Sequence, residues 1–275
     1  MDIRITTLSE NTANFGFIAE WGLSILVEAD GQRILLDTGP GFSAVYKAHL
    51  LGIDFSAIDR IVLSHGHSDH TGGLREVLRR GGEVEIIAHP AIWEAKYAVR
   101  KNERELYIGI PFVKEQLESL GARFSLTRDP VWITDNIVIS GEIPLITSYE
   151  EVDRNLYVNE NENLRPDNVP DDLALAIKTD LGLVIILGCA HRGIINTIHH
   201  FQKITGEELV YCVVGGTHLI GASPERLALT VGDLKETGIQ KLGVSHCTGF
   251  QASSWLAREF PDLFFLNNTG SQFTL

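Results

Sequence analysis

The sequence has few cysteines and no long apolar run. Its 275 residues include three cysteines, Cys189, Cys212 and Cys247, and this odd, small number does not suit a disulfide framework. Every apolar stretch falls short of the roughly 20 residues that span a bilayer. The first twenty residues lack a basic start followed by an apolar run. We therefore expect a cytoplasmic protein that is neither secreted nor inserted into a membrane.

The sequence also lacks an excess of basic residues. Its 36 acidic and 23 basic side chains give a net charge of −13. Such a surface repels polyanions unless a local site supplies strong positive charge. We therefore expect no nucleic-acid partner, whereas a small anionic substrate held by metal ions is compatible with this charge. The oligomeric state cannot be predicted from these features.

Short apolar runs alternate with helix-like segments along the chain. Residues 17–28 and 33–37 predict a β-hairpin, and residues 173–178 and 183–187 predict a second one. Strand-rich stretches followed by helical ones resemble two α/β halves that face each other. With 44% hydrophobic residues the chain can bury a sizeable core. We expect a single domain over residues 1–275.

Two segments interrupt this alternation. Residues 92 to about 120 are rich in Lys, Glu and Leu, with a break at Gly109-Ile110-Pro111, and predict a mainly helical cover. Residues 148 to about 172 are strongly polar and contain the run Asn159-Glu160-Asn161-Glu162-Asn163. This composition predicts a long loop that is mobile or acts as a lid.

The strongest chemical signal follows a short apolar strand over residues 61–64. His65, His67, Asp69 and His70 place four metal-competent side chains within six residues. On an extended loop, side chains two residues apart share a face, so His65 and His67 can bind one ion. Asp69 and His70, which are offset from them, can reach a second. The pattern predicts two neighbouring metal sites, the alternative being histidines that only cap a loop.

The run from Val62 to Gly73 resembles the signature loop of the metallo-β-lactamase superfamily. Asp37-Thr38-Gly39 resembles the upstream element of that family, and Gly188-Cys189 and Ser245-His246-Cys247 fall where the family places later ligands. The resemblance implies an α/β (α+β) fold, the four-layer αβ/βα sandwich, with metals at one sheet edge. It also implies that Asp37 supports the ligands from behind.

The resemblance extends the ligand set but leaves alternatives open. His246 is either the last ligand or a core histidine, and Cys189 is either a ligand, where most members carry Asp, or a small buried hydrophobe. No histidine lies between His89 and His191, so His191 is the replacement for a missing ligand or caps a helix. The candidate metal ligands are therefore His65, His67, Asp69, His70, Cys189, His191 and His246.

Other histidines have weaker patterns. Thr217 and His218 follow two glycines that let backbone approach a ligand closely, so they are either substrate contacts or part of a plain turn. His89, which precedes a proline, and the pair His199-His200 are expected to be surface or packing residues.

Four later motifs resemble a narrower group within the superfamily: Asp172–Leu175, Gly188–Gly193, Gly215–Leu219 and Ser245–Gly249. That group includes the archaeal synthase that joins a dihydropterin methyl diphosphate to ribofuranosylaminobenzene phosphate in methanopterin biosynthesis. Other members are described only as hydrolases. The ligand types suit two divalent transition-metal ions, with Zn²⁺ favoured and Mn²⁺ or Fe²⁺ also open.

These features predict a metal-dependent hydrolase of a small, anionic ester or phosphoester. Two ions would lower the pKa of a shared water towards ~7 and give a hydroxide nucleophile, which Asp69 would orient. A transferase that releases diphosphate from a pterin substrate is the first alternative, and a non-catalytic metal-binding protein is the second. A diiron redox enzyme is disfavoured, because Glu is expected where His67 stands.

Overall fold

The computed structural model describes residues 2–99 and 104–275. Its strands are β1 (Ile3–Ser9), β2 (Ser24–Ala29), β3 (Gln32–Leu36), β4 (Arg60–Val62), β5 (Val84–Ala88), β6 (Ala95–Ala98), β7 (Leu106–Tyr107), β8 (Ala122–Leu126), β9 (Val131–Trp132), β10 (Ile137–Ile139), β11 (Leu156–Glu160), β12 (Asn163–Pro166), β13 (Ala174–Thr179), β14 (Gly182–Leu187), β15 (Val210–Gly216), β16 (Lys241–Ser245), β17 (Phe264–Leu266) and β18 (Gln272–Thr274). Its α-helices are α1 (Ser43–Leu50), α2 (Ser68–Thr71), α3 (Leu74–Gly81), α4 (Lys114–Glu118), α5 (Ile194–Thr205), α6 (Pro224–Glu236) and α7 (Gly249–Glu259). The predicted α/β class is confirmed.

Contacts within the chain divide it into two compact units. The N-terminal unit comprises Asp2–Arg128, Val152–Asp171 and Asn268–Leu275, and the C-terminal unit comprises Asp129–Glu151 and Asp172–Asn267. Each unit contains one seven-stranded sheet that is part antiparallel and part parallel. Each unit therefore has strands whose carboxyl ends meet at one edge, where α/β proteins commonly bind ligands.

The larger sheet of the N-terminal unit has the order β18-β1-β2-β3-β4-β5-β8. Its hairpin β2–β3 pairs Ala29 with Gln32 across the turn, which confirms the first predicted hairpin. Helix α3 buries Leu74, Val77 and Leu78, a spacing of three and four residues that forms one apolar face. This face packs into a core shared with strands β2 to β5, and the packing fixes the start of α3 just after the histidine run.

The sheet of the C-terminal unit has the order β17-β16-β15-β14-β13-β10-β9. Strands β13 and β14 form the second predicted hairpin, closed by the pair Thr179 and Gly182. Helix α6 begins with Pro224 in its first turn, and the Ser223 side chain accepts a hydrogen bond from the backbone N–H of Arg226, a favourable N-cap arrangement. Helices α5, α6 and α7 all contribute to the core of this unit.

The polar segment expected to be a long loop contains a β-hairpin. Strands β11 and β12 pair with each other, and β11 also pairs with β6, in a four-stranded sheet of the N-terminal unit. The turn uses Asn161 and Glu162, both at positive φ (52° and 66°), as in a type I′ hairpin turn. Buried Leu156 and Val158 on β11 supply the inward face. The segment was predicted to be a loop because its polar composition hid the alternation of buried and exposed residues along β11.

The segment expected to be a mainly helical cover is also different. It contains a 3₁₀ turn over Pro90–Trp93, strands β6 and β7, and the five-residue helix α4. The helical prediction failed because β6 pairs with β11, about sixty residues later, and local composition does not report such a partner. Residues 100–103 of this segment lie outside the described residues.

Three α-helices, α1, α2 and α7, were not predicted from the sequence. In the part of the chain that the structure describes, none of the helices combines the length and apolar character required to cross a membrane.

Candidate functional site

The histidine run lies where β4 ends and α2 begins, inside the N-terminal unit. His67 is the residue that precedes α2. The ring centroids of His65 and His67 are 4.5 Å apart, and those of His65 and His70 are 4.2 Å apart. His65 and His70 are fully buried, and His67 is 6% exposed. The structure thus brings three of the four predicted loop ligands together as a buried imidazole cluster.

Asp37 holds this cluster from the end of β3. Its Oδ2 atom accepts hydrogen bonds from Nδ1 of His70 at 2.7 Å and from the Ser64 hydroxyl at 2.6 Å. Its Oδ1 atom accepts a bond from the Ser64 backbone N–H at 2.7 Å. A fully buried carboxylate therefore satisfies three donors, which is the supporting position that the family resemblance implies for Asp37.

The hydrogen bonds also select which ring nitrogen faces a ligand. Nδ1 of His70 contacts Asp37, and Nδ1 of His65 lies 2.9 Å from the Ser64 hydroxyl. Nε2 of each ring is therefore the atom that would bind a metal. Histidines that ligate metals commonly use the other ring nitrogen for such a hydrogen bond. The donor set and its orientation fit a divalent transition-metal ion.

A buried charge network, not predicted from the sequence, fixes the backbone between two candidate ligands. The Gly66 backbone N–H donates to Oδ2 of Asp171 at 2.8 Å. Lys96 Nζ donates to Asp171 at 2.8 Å and to Asp167 at 2.9 Å. Burial opposes the charge of Lys96, but Asp171 and Asp167 outweigh it and hold the pKa of Lys96 above its ordinary value. The lysine therefore stays charged.

Gly66 has no room for a side chain. A Cβ atom there would lie 2.5 Å from the Ile92 carbonyl oxygen in the 3₁₀ turn and 3.1 Å from Cε of Lys96. His89 caps the same turn, since its Nδ1 accepts the backbone N–H of Ala91 at 3.0 Å. This contact agrees with the packing role expected of His89. Close packing and the ion pairs together determine the path of the chain from His65 to His67.

Asp69 is the fourth candidate ligand of the histidine run. It is half-buried on α2, and its backbone carbonyl accepts the N–H of Leu23 at 3.2 Å. Within residues 2–99 and 104–275, Asp69 belongs to no group of three ligand atoms that all lie within 4.8 Å of one another. Its roles as a ligand and in orienting the attacking group stay predictions.

In the C-terminal unit, cysteine and histidine side chains that could bind a metal lie at the carboxyl ends of β14, β15 and β16. The ligand atoms of Cys189, His218 and Cys247 lie within 4.8 Å of one another, and the rings of His191 and His218 have centroids 4.0 Å apart. Cys189 and Cys247 are each 3% exposed, and neither forms a disulfide. Sequence reasoning missed Cys247, although it directly follows the candidate ligand His246.

Backbone conformation shapes this edge. Ala190, His218 and His246 have φ values of 50°, 47° and 54°, a left-handed region that is unfavourable for residues other than glycine. Such strain concentrates at functional sites because the surrounding structure must enforce it. Gly216 enforces close packing, since a Cβ there would lie 2.5 Å from the Gly188 carbonyl oxygen and 2.7 Å from Cys247 Sγ.

The remaining candidates have clear local surroundings. Thr217 is buried, and its hydroxyl donates to the Thr248 hydroxyl at 2.9 Å, so its substrate contact stays a prediction. His246 is 4% exposed in a 3₁₀ turn after β16. His199 is exposed on α5, and Nε2 of His200 lies 2.8 Å from the Ser140 carbonyl oxygen, as expected of surface and packing residues.

The chain is similar to known proteins over most of its length. The family model of the metallo-β-lactamase superfamily matches residues 22–180. The chain is 38% identical, over 96% of its length and 93% of the relative, to the 7,8-dihydropterin-6-methyl-4-(β-D-ribofuranosyl)-aminobenzene-5′-phosphate synthase of Methanocaldococcus jannaschii. It is 32% identical to an uncharacterized protein of the same organism, over 92% of this chain and 94% of that protein.

A solved structure is similar over the full length. It is the crystal structure of a metal-dependent hydrolase of the β-lactamase superfamily, with a TM-score of 0.85, 28% identity and coverage of 99% of both chains. The predicted fold is thus confirmed by sequence and by structure. The chain belongs to the metallo-β-lactamase superfamily of metal-dependent enzymes.

Proposed function

We propose that this chain is a metal-dependent transferase that joins the methylene carbon of a pterin-type methyl diphosphate to an arylamine. The observation that carries the proposal is the 38% identity to the archaeal synthase over 96% of this chain. In the reaction, the carbon–oxygen bond to diphosphate breaks, and diphosphate leaves with the electron pair. The amine nitrogen forms the new carbon–nitrogen bond and loses a proton.

The proposed metal ligands are those predicted from the sequence: His65, His67, Asp69, His70, Cys189, His191 and His246. Divalent ions bound there would supply positive charge that stabilises a phosphate-bearing leaving group. The buried cluster of His65, His67 and His70, with its Asp37 support, fits this role in its own unit. Zn²⁺ is the proposed ion because imidazole and thiolate ligands both suit it.

The residues of the chain contribute positioning. Asp37 and the network of Lys96 and Asp171 fix the loop from His65 to His67 before substrate arrives, which reduces reorganisation during the reaction. Asp69, half-buried beside this loop, is the residue we propose to orient the attacking amine. Thr217 and His218 are the proposed substrate contacts.

Hydrolysis of a small anionic ester or phosphoester is the second candidate. It is favoured by the similarity to the metal-dependent hydrolase at 28% identity and TM-score 0.85. The same positioned residues serve both reactions, since water takes the place of the amine. The two candidates therefore differ in the acceptor and not in the proposed ligands.

One experiment distinguishes the acceptors. The zinc-loaded protein is incubated with a dihydropterin methyl diphosphate, with and without an arylamine, and diphosphate release and product mass are measured. A transferase releases diphosphate faster with the amine and forms the coupled product, because the bound amine attacks within one complex. Equal release without amine, or turnover of simple esters alone, would support hydrolysis instead.

Matched histidine variants link the result to the site. His67→Ala should lower diphosphate release by more than the roughly 10–100-fold loss seen when an outer partner of a metal ligand is removed. His49→Ala serves as the control, since His49 is exposed on α1 in the same unit. Similar rates in both variants would remove the histidine run from the mechanism.

A further inference from the structure

Three parallel strands of the C-terminal unit are each followed by a cysteine or histidine at the same edge of the sheet. Strands β14, β15 and β16 pair in register, with Leu187 opposite Gly215 and Gly216 opposite Ser245. The chain segments that follow these strands carry Cys189, His218 and Cys247. Neighbouring parallel strands present such segments side by side, outside the carboxyl edge of the sheet.

The spacing of the three ligand atoms suits a metal ion. They lie within 4.8 Å of one another, whereas tetrahedral zinc with sulfur and nitrogen ligands requires separations of about 3.5–3.8 Å. Small changes in side-chain torsion angles bring atoms within this range to that spacing. Two thiols and an imidazole form a donor set that favours zinc over the hard cations Mg²⁺ and Ca²⁺.

The surrounding backbone favours this convergence. The His218 backbone N–H donates to Cys247 Sγ at 3.2 Å, and Cys247 Sγ donates to the Cys189 carbonyl oxygen at 3.4 Å. His218 adopts the left-handed region at φ 47°, and Gly216 leaves the space that Cys247 Sγ approaches. A conformation that the fold enforces at a cost, around three metal-competent atoms, points to a ligand.

We infer that the C-terminal unit binds a zinc ion through Cys189, His218 and Cys247. The inference adds Cys247 to the ligand set and gives His218 a coordinating role in place of a substrate contact. Three protein ligands leave a fourth tetrahedral position, as in catalytic zinc sites. Cys189 also belongs to the ligand set of the proposed function, whereas Cys247 does not, so the Cys247 variant distinguishes the two. The inference concerns metal binding without substrate and does not require the transfer reaction.

Cobalt substitution tests the number of thiolate ligands. Protein kept reduced is depleted of metal and loaded with Co²⁺, and the near-ultraviolet absorption from thiolate-to-cobalt charge transfer is measured per chain. We expect Cys189→Ser and Cys247→Ser each to lose about half of this absorption, because each removes one of two sulfur ligands. The double variant should lose all of it.

Cys212 provides the matched control. It lies on β15 in the same unit, and burial raises its pKa to about 12, with a smaller opposing effect of Lys241. Its thiol therefore stays protonated, and Cys212→Ser should leave the cobalt absorption unchanged. Full absorption in Cys247→Ser, or no charge-transfer absorption in the unmodified protein, would overturn the inference.

A measurement on the unmodified protein guards against variants that do not fold. X-ray absorption at the zinc edge should show sulfur scatterers at about 2.3 Å. Spectra with nitrogen and oxygen scatterers alone would contradict the assignment. Failure of this site would leave His67→Ala still impaired in diphosphate release, so the two proposals fail separately.

Discussion

The two units hold their candidate ligands by different physical means. In the N-terminal unit, side-chain hydrogen bonds orient the histidines, with Asp37 accepting from His70 and Asp171 accepting from Gly66. In the C-terminal unit, backbone conformation does so, through positive φ at Ala190, His218 and His246. The first arrangement depends on buried charges and the second on steric fit, so the two should respond differently to substitution.

The largest expected effect comes from removing the carboxylate behind the histidine cluster. Asp37→Ala leaves three buried donors without their acceptor, at about 1–3 kcal/mol each when unsatisfied. Zinc affinity should fall about 10–100-fold, as measured by competition with a chelator. Asp59→Ala is the control, because the exposed Asp59 also accepts a backbone N–H. Unchanged affinity in Asp37→Ala would end the claim that side chains orient this cluster.

The next largest effect is expected from breaking the buried ion pairs of Lys96, one of which includes the Asp171 carboxylate that accepts the Gly66 N–H. Lys96→Met leaves Asp167 and Asp171 buried without their cation, and breaking such a pair costs about 3–5 kcal/mol. We expect the metal-free protein to lose this much in its free energy of unfolding, as measured with urea. A loss below about 1 kcal/mol would mean that the network does not hold the loop.

Lys47 provides a matched comparison with Lys96, because replacing it by Met should raise the free energy of unfolding instead of lowering it. Its side chain is equally buried, and in the described part of the chain its Nζ has no hydrogen-bond partner, although it lies over the ring of Phe17. Burial lowers its pKa from 10.5 to about 8. Lys47→Met should therefore raise the free energy of unfolding at pH 7, by roughly 1–3 kcal/mol.

The pH dependence follows from this shift. Between pH 8 and pH 10.5 the unfolded chain keeps the proton on Lys47 and the folded chain releases it. The unmodified protein should therefore gain stability as pH rises through this window. The advantage of Lys47→Met should shrink over the same range, and a constant difference in unfolding free energy would contradict the cause given for it.

At the strand-end edge, steric fit is tested by adding one methyl group. In Gly216→Ala the new Cβ would meet the Gly188 carbonyl oxygen at 2.5 Å, and such overpacking costs about 1–3 kcal/mol. Gly232→Ala on α6 is the control, since nothing lies within 4 Å of its Cβ position. It should gain about 0.5–1 kcal/mol. Equal effects on the thermal midpoint would show that Gly216 is not constrained.

The smallest expected effect is relief of backbone strain. Ala190 has φ 50°, and the left-handed conformation costs roughly 1–2 kcal/mol for a residue with a Cβ atom. Ala190→Gly removes that cost but adds conformational entropy to the unfolded chain. A net gain of up to about 1 kcal/mol is expected in urea unfolding. A clear loss of stability would mean that the Ala190 side chain makes contacts that outweigh the strain.

The same contrast explains what could be predicted from the sequence. Strands β13 and β14 lie within one residue of the predicted bounds of the second hairpin, because their apolar runs flank a turn. The histidine run could be predicted because its candidate ligands are close in sequence. Lys96 and Asp171 are 75 residues apart, and no local pattern links them.

The C-terminal edge was harder to predict for another reason. Cys247 and His218 are 29 residues apart and come together through the parallel pairing of β15 and β16. Positive φ at His218 is a property of the packed backbone and has no sequence signature outside glycine and asparagine. One signal was available in the sequence. His246 and Cys247 are adjacent and directly follow β16, which could have indicated that Cys247 is a candidate ligand.

Metal content of the purified protein tests the central claim most directly. Elemental analysis should find divalent transition-metal ions bound to the unmodified chain and to His49→Ala. The double variant of His67→Ala and His70→Ala should keep its fold by circular dichroism and lose at least one of those ions, because two buried imidazoles of the cluster are gone. Equal metal content in the double variant and the control would contradict the assignment of the histidine run as a metal site.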